Sequence, residues 1–403
     1  MSSGFIGYQE ALKLTLSNIE PLESEERFLK ESVNYVAAED LYALVNSPSA
    51  ATSLKDGFAV RAQDIGHATP SVQVELKLRG VAAAGSINPK SVEPRIAMRI
   101  LTGAVIPEGA DAVVSEEYTQ TKDDHVIVFK HAEPGRNILP KGCDVAVDEL
   151  LIPGGCCLSP AKIGILTAAG HDKISVIRKP RVAIIATGDE VLLPGQPIRE
   201  GKLFASNMMT LDAWCKRYGM QTSLAVVGDD AENIKDKLHR VTQEHDVILT
   251  SGGAWTGDRD LVARTLAQLE WRKIYHRIRI GPGKGIGFGF LKGTPAFILP
   301  GGPPSNLIAF LKLALPGLLK LAGHANPQLP TRLARLAETV KGQSDWTQFI
   351  LGRFETRDDL ICFQPLKYKS RLKSMAEAEG LLSIPEGADH ISVGTEIMVS
   401  LLD

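Results

Sequence analysis

The stretch DVILTSGGAWTGDRD, residues 246–260, decides the fold. It opens on DVILT, an apolar and β-branched run suited to a strand buried on both faces. The chain then breaks at Gly252–Gly253, carries Trp255 through a turn and ends on Asp258 and Asp260. The residues that follow, RDLVARTLAQL, read as a helix. A strand, a glycine turn and a helix in this order make half of a parallel βαβ unit.

The same alternation extends outward from Pro180. RVAIIAT (181–187), SLAVVG (223–228), KIYHRIRI (273–280) and AFILP (296–300) read as strands. SNMMTLDAWCKRYG (206–219), DDAENIKDKLHRVTQE (229–244) and PSNLIAFLKLALPGLLKLAG (304–323) read as helices. Such alternation implies a parallel sheet wound on both sides, over residues 179–325. Upstream, YQEALKLTLSNI (8–19) and VNYVAAEDLYAL (33–44) have helical patterns, as does AKIGILTAAGH (161–171). Between them SVQVELKLRGV, RIAMRILTGAVI, DAVVSEEY and HVIVFK are short β runs separated by Pro and Gly turns. The organisation expected is an elongated helical and linker part (1–47 and 140–178), an inserted β-rich module (48–139), the α/β domain, and a small C-terminal β-barrel (326–403).

Composition narrows the function classes. A chain of 403 residues exceeds what one core commonly supports. A formal net charge of −2 gives no global attraction to nucleic acid or to an anionic membrane. Five cysteines without repeated spacing read as reduced, mostly buried thiols. The N-terminus lacks the pattern of a secretory signal, and no uniformly apolar run of about 18 residues stands out. A cytoplasmic protein is the expectation.

In a doubly wound sheet, ligands bind on loops leaving the carboxyl ends of the strands. Three such loops are dense in Gly or Pro: TGDEVLLPG, SGGAWTGDRD and LPGGPPSN. Glycine permits positive φ and lets backbone N–H groups approach an anion. Asp258 and Asp260 have two readings, as caps of the following helix or, with Asp189 and Glu190, as oxygen ligands of a divalent cation such as Mg²⁺. A fourth loop, IRIGPGKGIGFG, offers Lys284 as a point charge for phosphate or an oxyanion. Asp56, Thr102, Glu117 and Asp144 lie in or near turns of the N-terminal half. No nucleophile–base pair is evident among the cysteines and histidines.

Taken in order, SLKDGFAV, RILTGAVIPEGADAVVSEE, GRNILPKGCDV, PRVAIIATGDEVLLPG, ASN, DVILTSGGAWTGDRD, GPGKGIGFG, LPGGPPSN and SRLKSMAEAEGLLSIPEG make the chain resemble the molybdopterin molybdenumtransferase family, the MoeA proteins and the gephyrin E domain. The resemblance runs through essentially the whole chain. It implies a four-part subunit, usually a homodimer, with a MogA/MoaB-like α/β domain. It also implies the reaction: adenylylated molybdopterin and molybdate (or tungstate) give molybdenum cofactor and AMP, with a divalent cation required. A molybdopterin adenylyltransferase and molybdoenzyme clients are the implied partners. Position by position, the family's acidic and hydroxyl residues match Asp56, Thr102, Asp144, Glu190, Asp229 or Asp230, and Asp260. The pterin-side loops match Gly252, Gly253, Pro300, Pro303 and Ser305, with Ser251, Trp255 and Gly257 as further candidates for binding the pterin, and Lys284 matches the second lysine of K-P-G-K.

Departures from the pattern bear on activity. Gly281 replaces the first lysine of K-P-G-K, and Leu139 replaces the arginine after N-I. Ala254–Trp255–Thr256–Gly257 stands for V-S-x-G, and Gly302 and Pro304 interrupt the usual L-P-G-N-P-V-S. Arg279 and Arg371 are the candidate replacement cations, from this chain or a second copy. Trp255 either stacks on a pterin ring or fills space beneath its loop. A transferase is the first expectation. A carrier or scaffold that binds molybdopterin without chemistry, and a nucleotide pyrophosphate hydrolase akin to the CinA relatives of the fold, are the alternatives.

Overall fold

The computed structural model describes residues 5–85, 91–252, 261–269, 271–367 and 370–402. At its centre lies a six-stranded sheet in the order Gln221–Val227, Arg181–Thr187, Val247–Ser251, Thr294–Leu299, Gly287–Leu291 and Arg272–His276. The first four strands are parallel, Gly287–Leu291 runs antiparallel to them, and Arg272–His276 is antiparallel to Gly287–Leu291 in turn. Side chains alternate across the pleat. Ile184 and Ala186 join a core with Met208, Leu211 and Phe310, whereas Ala183 and Ile185 pack against Ile234, Leu238 and Val262. The sheet is therefore covered on one face by the helices Ser206–Arg217 and Pro303–Ala309 and on the other by Ala231–Glu244 and Leu261–Gln268. The chain leaves Arg181–Thr187 for the strand on one flank and returns on the other. That reversal opens a crevice between the ends of Arg181–Thr187 and Val247–Ser251.

The helix that begins at Pro303 continues through a π-helical segment, Phe310–Ala314, into Leu315–Leu321. These 19 residues are long and apolar enough to cross a bilayer, but 78% of the apolar window is buried inside the fold. It is the sheet's core helix.

Other parts of the chain depart from the sequence reading in informative ways. KIYHRIRI divides at Arg277, whose φ is +65°. Its second half, Ile278–Gly281, leaves the central sheet and pairs with Ile6–Gly7 and with Thr347–Arg357. The latter belongs to a closed ring of five strands, in which Thr347–Arg357 pairs with both Leu360–Pro365 and Gly380–Ile384. This is the C-terminal barrel. VNYVAAEDLYAL is not a helix. It forms two short strands, Val36–Ala37 and Leu41–Tyr42, paired with Lys173–Ile177 and Leu150–Ile152. Its alanines favour a helix, and partners more than a hundred residues away override them. YQEALKLTLS and PAKIGILTA are helical as expected, and residues 57–128 build a six-stranded sheet. None of the five cysteines is in a disulfide; Cys215 and Cys362 are buried and Cys143 is exposed.

Asp246, the first residue of the deciding stretch, clamps the entry to the α/β domain. Its carboxylate accepts from Arg178 Nη1 at 2.7 Å, Arg178 Nη2 at 2.9 Å and the Arg181 N–H at 2.7 Å. Partial burial pushes the Asp246 pKa up, but the Arg178 and Arg181 donors outweigh it and bring it from 3.8 to about 2. A lowered carboxyl pKa stabilises the fold above pH ~4, the unfolded value, and that contribution fades as pH falls toward 2. Asp246→Asn is expected to cost about 1–3 kcal/mol at neutral pH, since the arginines lose their counter-charge at a largely buried carboxylate. Melts of both proteins at pH 7 and at pH 2.5 check it; the gap between them should narrow at the lower pH.

Candidate functional site

At the carboxyl ends of the parallel strands lies a cavity of 600 Å³. It is lined by Thr187 and Glu190 from the first loop, Ser251 and Gly252 from the second, and Gly301, Gly302 and Pro303 from the third. Ser206 and Asn207, at the start of the adjoining helix, complete the domain's contribution. Arg371 and Leu372 reach in from the helix Arg371–Glu377 of the C-terminal region.

The loops are fixed by hydrogen bonds. The Gly252 N–H donates to the Leu299 carbonyl at 3.1 Å, which joins the second loop to the third. Asn306 is buried, and its Nδ2 donates to Ser251 Oγ at 3.0 Å and to the Pro300 carbonyl at 2.8 Å. Asn207 Nδ2 holds the Gly301 carbonyl at 2.8 Å. Gly252 has φ +106°, and a Cβ there would lie 2.8 Å from the Thr187 carbonyl oxygen. Both conformation and space demand glycine. Gly252→Ala is expected to cost about 1–3 kcal/mol of stability; a denaturant melt of both proteins measures it.

Asp189 and Glu190 are exposed at the edge of this crevice. Asp189 Oδ1 accepts the Asp229 N–H at 3.0 Å, and Lys202 Nζ donates to the Asp189 carbonyl at 2.6 Å. Asp230 is a helix cap whose side chain accepts from the Asn233 N–H at 2.8 Å. Among the described residues no three His, Cys, Asp or Glu side chains converge on one point. Gly253, Trp255, Gly257, Asp258 and Asp260 lie outside the described residues. Asp189 and Glu190 alone do not close a metal site; an ion such as Mg²⁺ there would need water and substrate phosphate as its other ligands.

Lys284 is exposed, with Nζ 5.9 Å from the Trp346 ring centroid. Its loop lies against the start of the Pro303 helix: a Cβ on Gly283 would sit 3.3 Å from the Ser305 carbonyl oxygen. The fourth loop thus adjoins the third. Of the two candidate replacement cations, Arg279 is committed elsewhere, since it pairs with Glu386 at 2.9 Å and donates to the Phe5 carbonyl. Arg371 lines the cavity.

The acids of the N-terminal half form a separate group. Asp56 Oδ1 accepts from the Thr102 N–H at 2.7 Å and from Thr102 Oγ1 at 2.9 Å. These two donors hold the exposed Asp56 carboxyl below the usual carboxylate range. Asp144 is exposed, with its N–H bound to the Ser47 carbonyl and Cys143 Sγ 3.8 Å from Oδ1. Among the described residues no hydrogen bond or ion pair joins Asp56, Thr102 or Asp144 to the loops of the cavity. Asn306 and Asn207 are the positioning residues that sequence reasoning left unassigned, although the pieces ASN and LPGGPPSN contain them. The available signal was a polar residue in the first turn of a largely apolar helix.

Fold and crevice define the class: a multidomain α/β protein with a glycine-lined cavity at the switch point of its parallel sheet. Residues 6–170 match the MoeA N-terminal region, domains I and II. Residues 183–320 match the probable molybdopterin binding domain, and residues 333–402 the MoeA C-terminal region, domain IV. Molybdopterin molybdenumtransferase 2 of Mycobacterium tuberculosis is 31% identical over 92% of this chain and 93% of its own. The molybdopterin molybdenumtransferase of Staphylococcus epidermidis is 28% identical over 99% and 96%. Among solved structures, the molybdopterin biosynthesis MoeA protein of Pyrococcus horikoshii superposes with a TM-score of 0.84 at 31% identity, covering 99% of both chains. The chain belongs to the molybdopterin molybdenumtransferase family, enzymes of molybdenum cofactor biosynthesis.

Proposed function

We propose that this protein inserts molybdate, or tungstate, into adenylylated molybdopterin and releases AMP. The observation that carries this is the cavity at the switch point, whose glycine turns offer close backbone approach and whose rim carries Glu190 and Arg371. In this reading Ser251, Gly252, Pro300, Pro303 and Ser305, with Gly253, Trp255 and Gly257, receive the pterin and its phosphates. Lys284 and Arg371 balance charge on the departing phosphate, where a cation held outside bulk water is worth most. Asp189 and Glu190 would hold a divalent cation with Asp229 and Asp260 beside them, and the cation would polarise the phosphate. Asp56, Thr102 and Asp144 would orient the oxyanion or the attacking water.

The acids reach the cavity from a second copy. The short ladder of Leu41–Tyr42 with Leu150–Ile152 and its surroundings expose Tyr42, Leu44, Val45, Val147, Leu150 and Ile165. An apolar face of this kind suits an isologous homodimer contact. The cytoplasm, where an adenylyltransferase would supply the substrate and molybdoenzymes receive the product, is the compartment this reading places it in.

Incubation with adenylylated molybdopterin, Mg²⁺ and molybdate tests the proposal, with a parallel arm in tungstate. AMP release that depends on the oxyanion is the expected result. Tight binding without AMP would favour the carrier reading, which Gly281 in place of a lysine supports. Turnover of simple nucleotide pyrophosphates would favour a hydrolase.

A further inference from the structure

A cavity of 430 Å³ lies at the end of the central sheet opposite the crevice. Arg181, which lines it, opens the strand whose last residue, Thr187, lines the crevice. The rise of a strand over that span puts the two about 20 Å apart. The cavity's walls come from two parts of the fold. Arg27 and Tyr35 belong to the linker part, whereas Gly219 and Gln221 follow the helix Ser206–Arg217 of the α/β domain. Arg178 and Lys179 lie on the segment that joins the two parts.

Positive charge is in surplus here. Arg27, Arg178, Lys179 and Arg181 line the cavity against only two carboxylates, Glu23 and Glu25. Arg178 is fully engaged, with Nε donating to Glu23 at 2.7 Å and its Nη atoms holding Asp246. Arg27 Nη1 reaches Glu25 at 3.1 Å. Arg181 meets Asp246 through Nε at 3.3 Å, which leaves its Nη groups uncommitted among the described residues.

Lys179 takes no part in this pairing. Among the described residues no hydrogen bond or ion pair engages its Nζ, which stands 4.2 Å from the Tyr35 ring centroid. Arg27 Cζ lies 4.4 Å from the same ring, so two cations share one aromatic surface. The fold makes room for the amine: Gly219 has φ +70°, and a Cβ there would lie 2.5 Å from Lys179 Nζ. Burial holds the Lys179 pKa below its ordinary value; Cys157 opposes the shift and the Arg27 charge adds to it. A half-buried ammonium without a counter-charge, beside a guanidinium with free donors, suits a tetrahedral oxyanion. Lysine supplies a point charge and arginine a planar fork.

We propose that this cavity binds a small multivalent oxyanion of the phosphate and sulfate class, held between Lys179 and Arg181. Bound there, the ion ties the linker part to the first strand of the α/β domain, beside the Asp246 clamp. The site is separate from the crevice and independent of the reaction proposed above.

Acetylation by acetic anhydride, read lysine by lysine by mass spectrometry after digestion, tests the inference. Inorganic phosphate at about ten times its dissociation constant should slow acetylation of Lys179 about tenfold, and leave the exposed Lys13 unchanged. Sulfate should protect Lys179 as well, and sodium chloride at matched ionic strength should not. Arg181→Gln keeps the Arg178–Asp246 pair. It should raise the phosphate concentration for half protection at least about fivefold. Lys284→Ala, which alters only the crevice side, should leave that concentration unchanged. Equal protection of Lys179 by chloride, protection of Lys284 without Lys179, or an unaltered midpoint in Arg181→Gln would overturn the site.

Discussion

Asp56→Asn is expected to abolish AMP release, by at least about a hundredfold, while the protein melts within a few degrees of wild type. The geometry separates the two effects. Asp56 is exposed and its Oδ1 accepts both Thr102 bonds. Asparagine keeps an oxygen in that place, so the turn survives and only the charge is lost. Asp144→Asn should behave alike, because Asp144 is anchored through its backbone N–H to the Ser47 carbonyl rather than through its carboxylate. A fall in melting temperature of ~8 °C or more would make either residue structural. The pH profile adds a second readout. The Thr102 N–H and hydroxyl hold the Asp56 pKa below its ordinary value, so the carboxylate stays ionised to lower pH than usual. Thr102→Val removes one donor, and the acid limb of activity should move to higher pH.

Subunit mixing carries the second large effect. Asp56→Asn and Lys284→Ala should each be inactive alone. If a site takes its acids from one copy and its lysine from the other, a mixed dimer holds one doubly altered site and one intact site. Random exchange of equal amounts should then restore about a quarter of wild-type activity. No recovery after exchange is verified by mass would place acids and lysine in one chain, and the arrangement proposed here would fall.

How much of this was legible in the residues varies by element. The central strands were, because VAIIA and VIL are unbroken short apolar runs between polar ends, the pattern of a strand covered on both faces. The helices around them announced themselves through apolar spacing, whereas the capping role of Asp230 emerged only from the structure. VNYVAAEDLYAL failed the same test. Its helix-compatible composition is overridden by ladders to Lys173–Ile177 and Leu150–Ile152, and no local pattern encodes a partner so distant. KIYHRIRI failed for a related reason, since nothing in a continuous strand pattern marks Arg277 as the point where the chain changes sheets.

The site divides in the same way. Sequence alone determined the Gly-rich turns after the parallel strands, because backbone conformation selects glycine locally, and it placed Asp56, Thr102 and Asp144 in turns. Tertiary structure decided which groups share a cavity. Arg279 and Arg371 were equal candidates by composition; folding ties the first to Glu386 and the Phe5 carbonyl and sets the second against the crevice. Asn306 became the link between two loops because helix and strand bring Ser251 and Pro300 within reach of one side chain. Local conformation is written in neighbouring residues, whereas convergence depends on how sheets and helices pack across the whole chain.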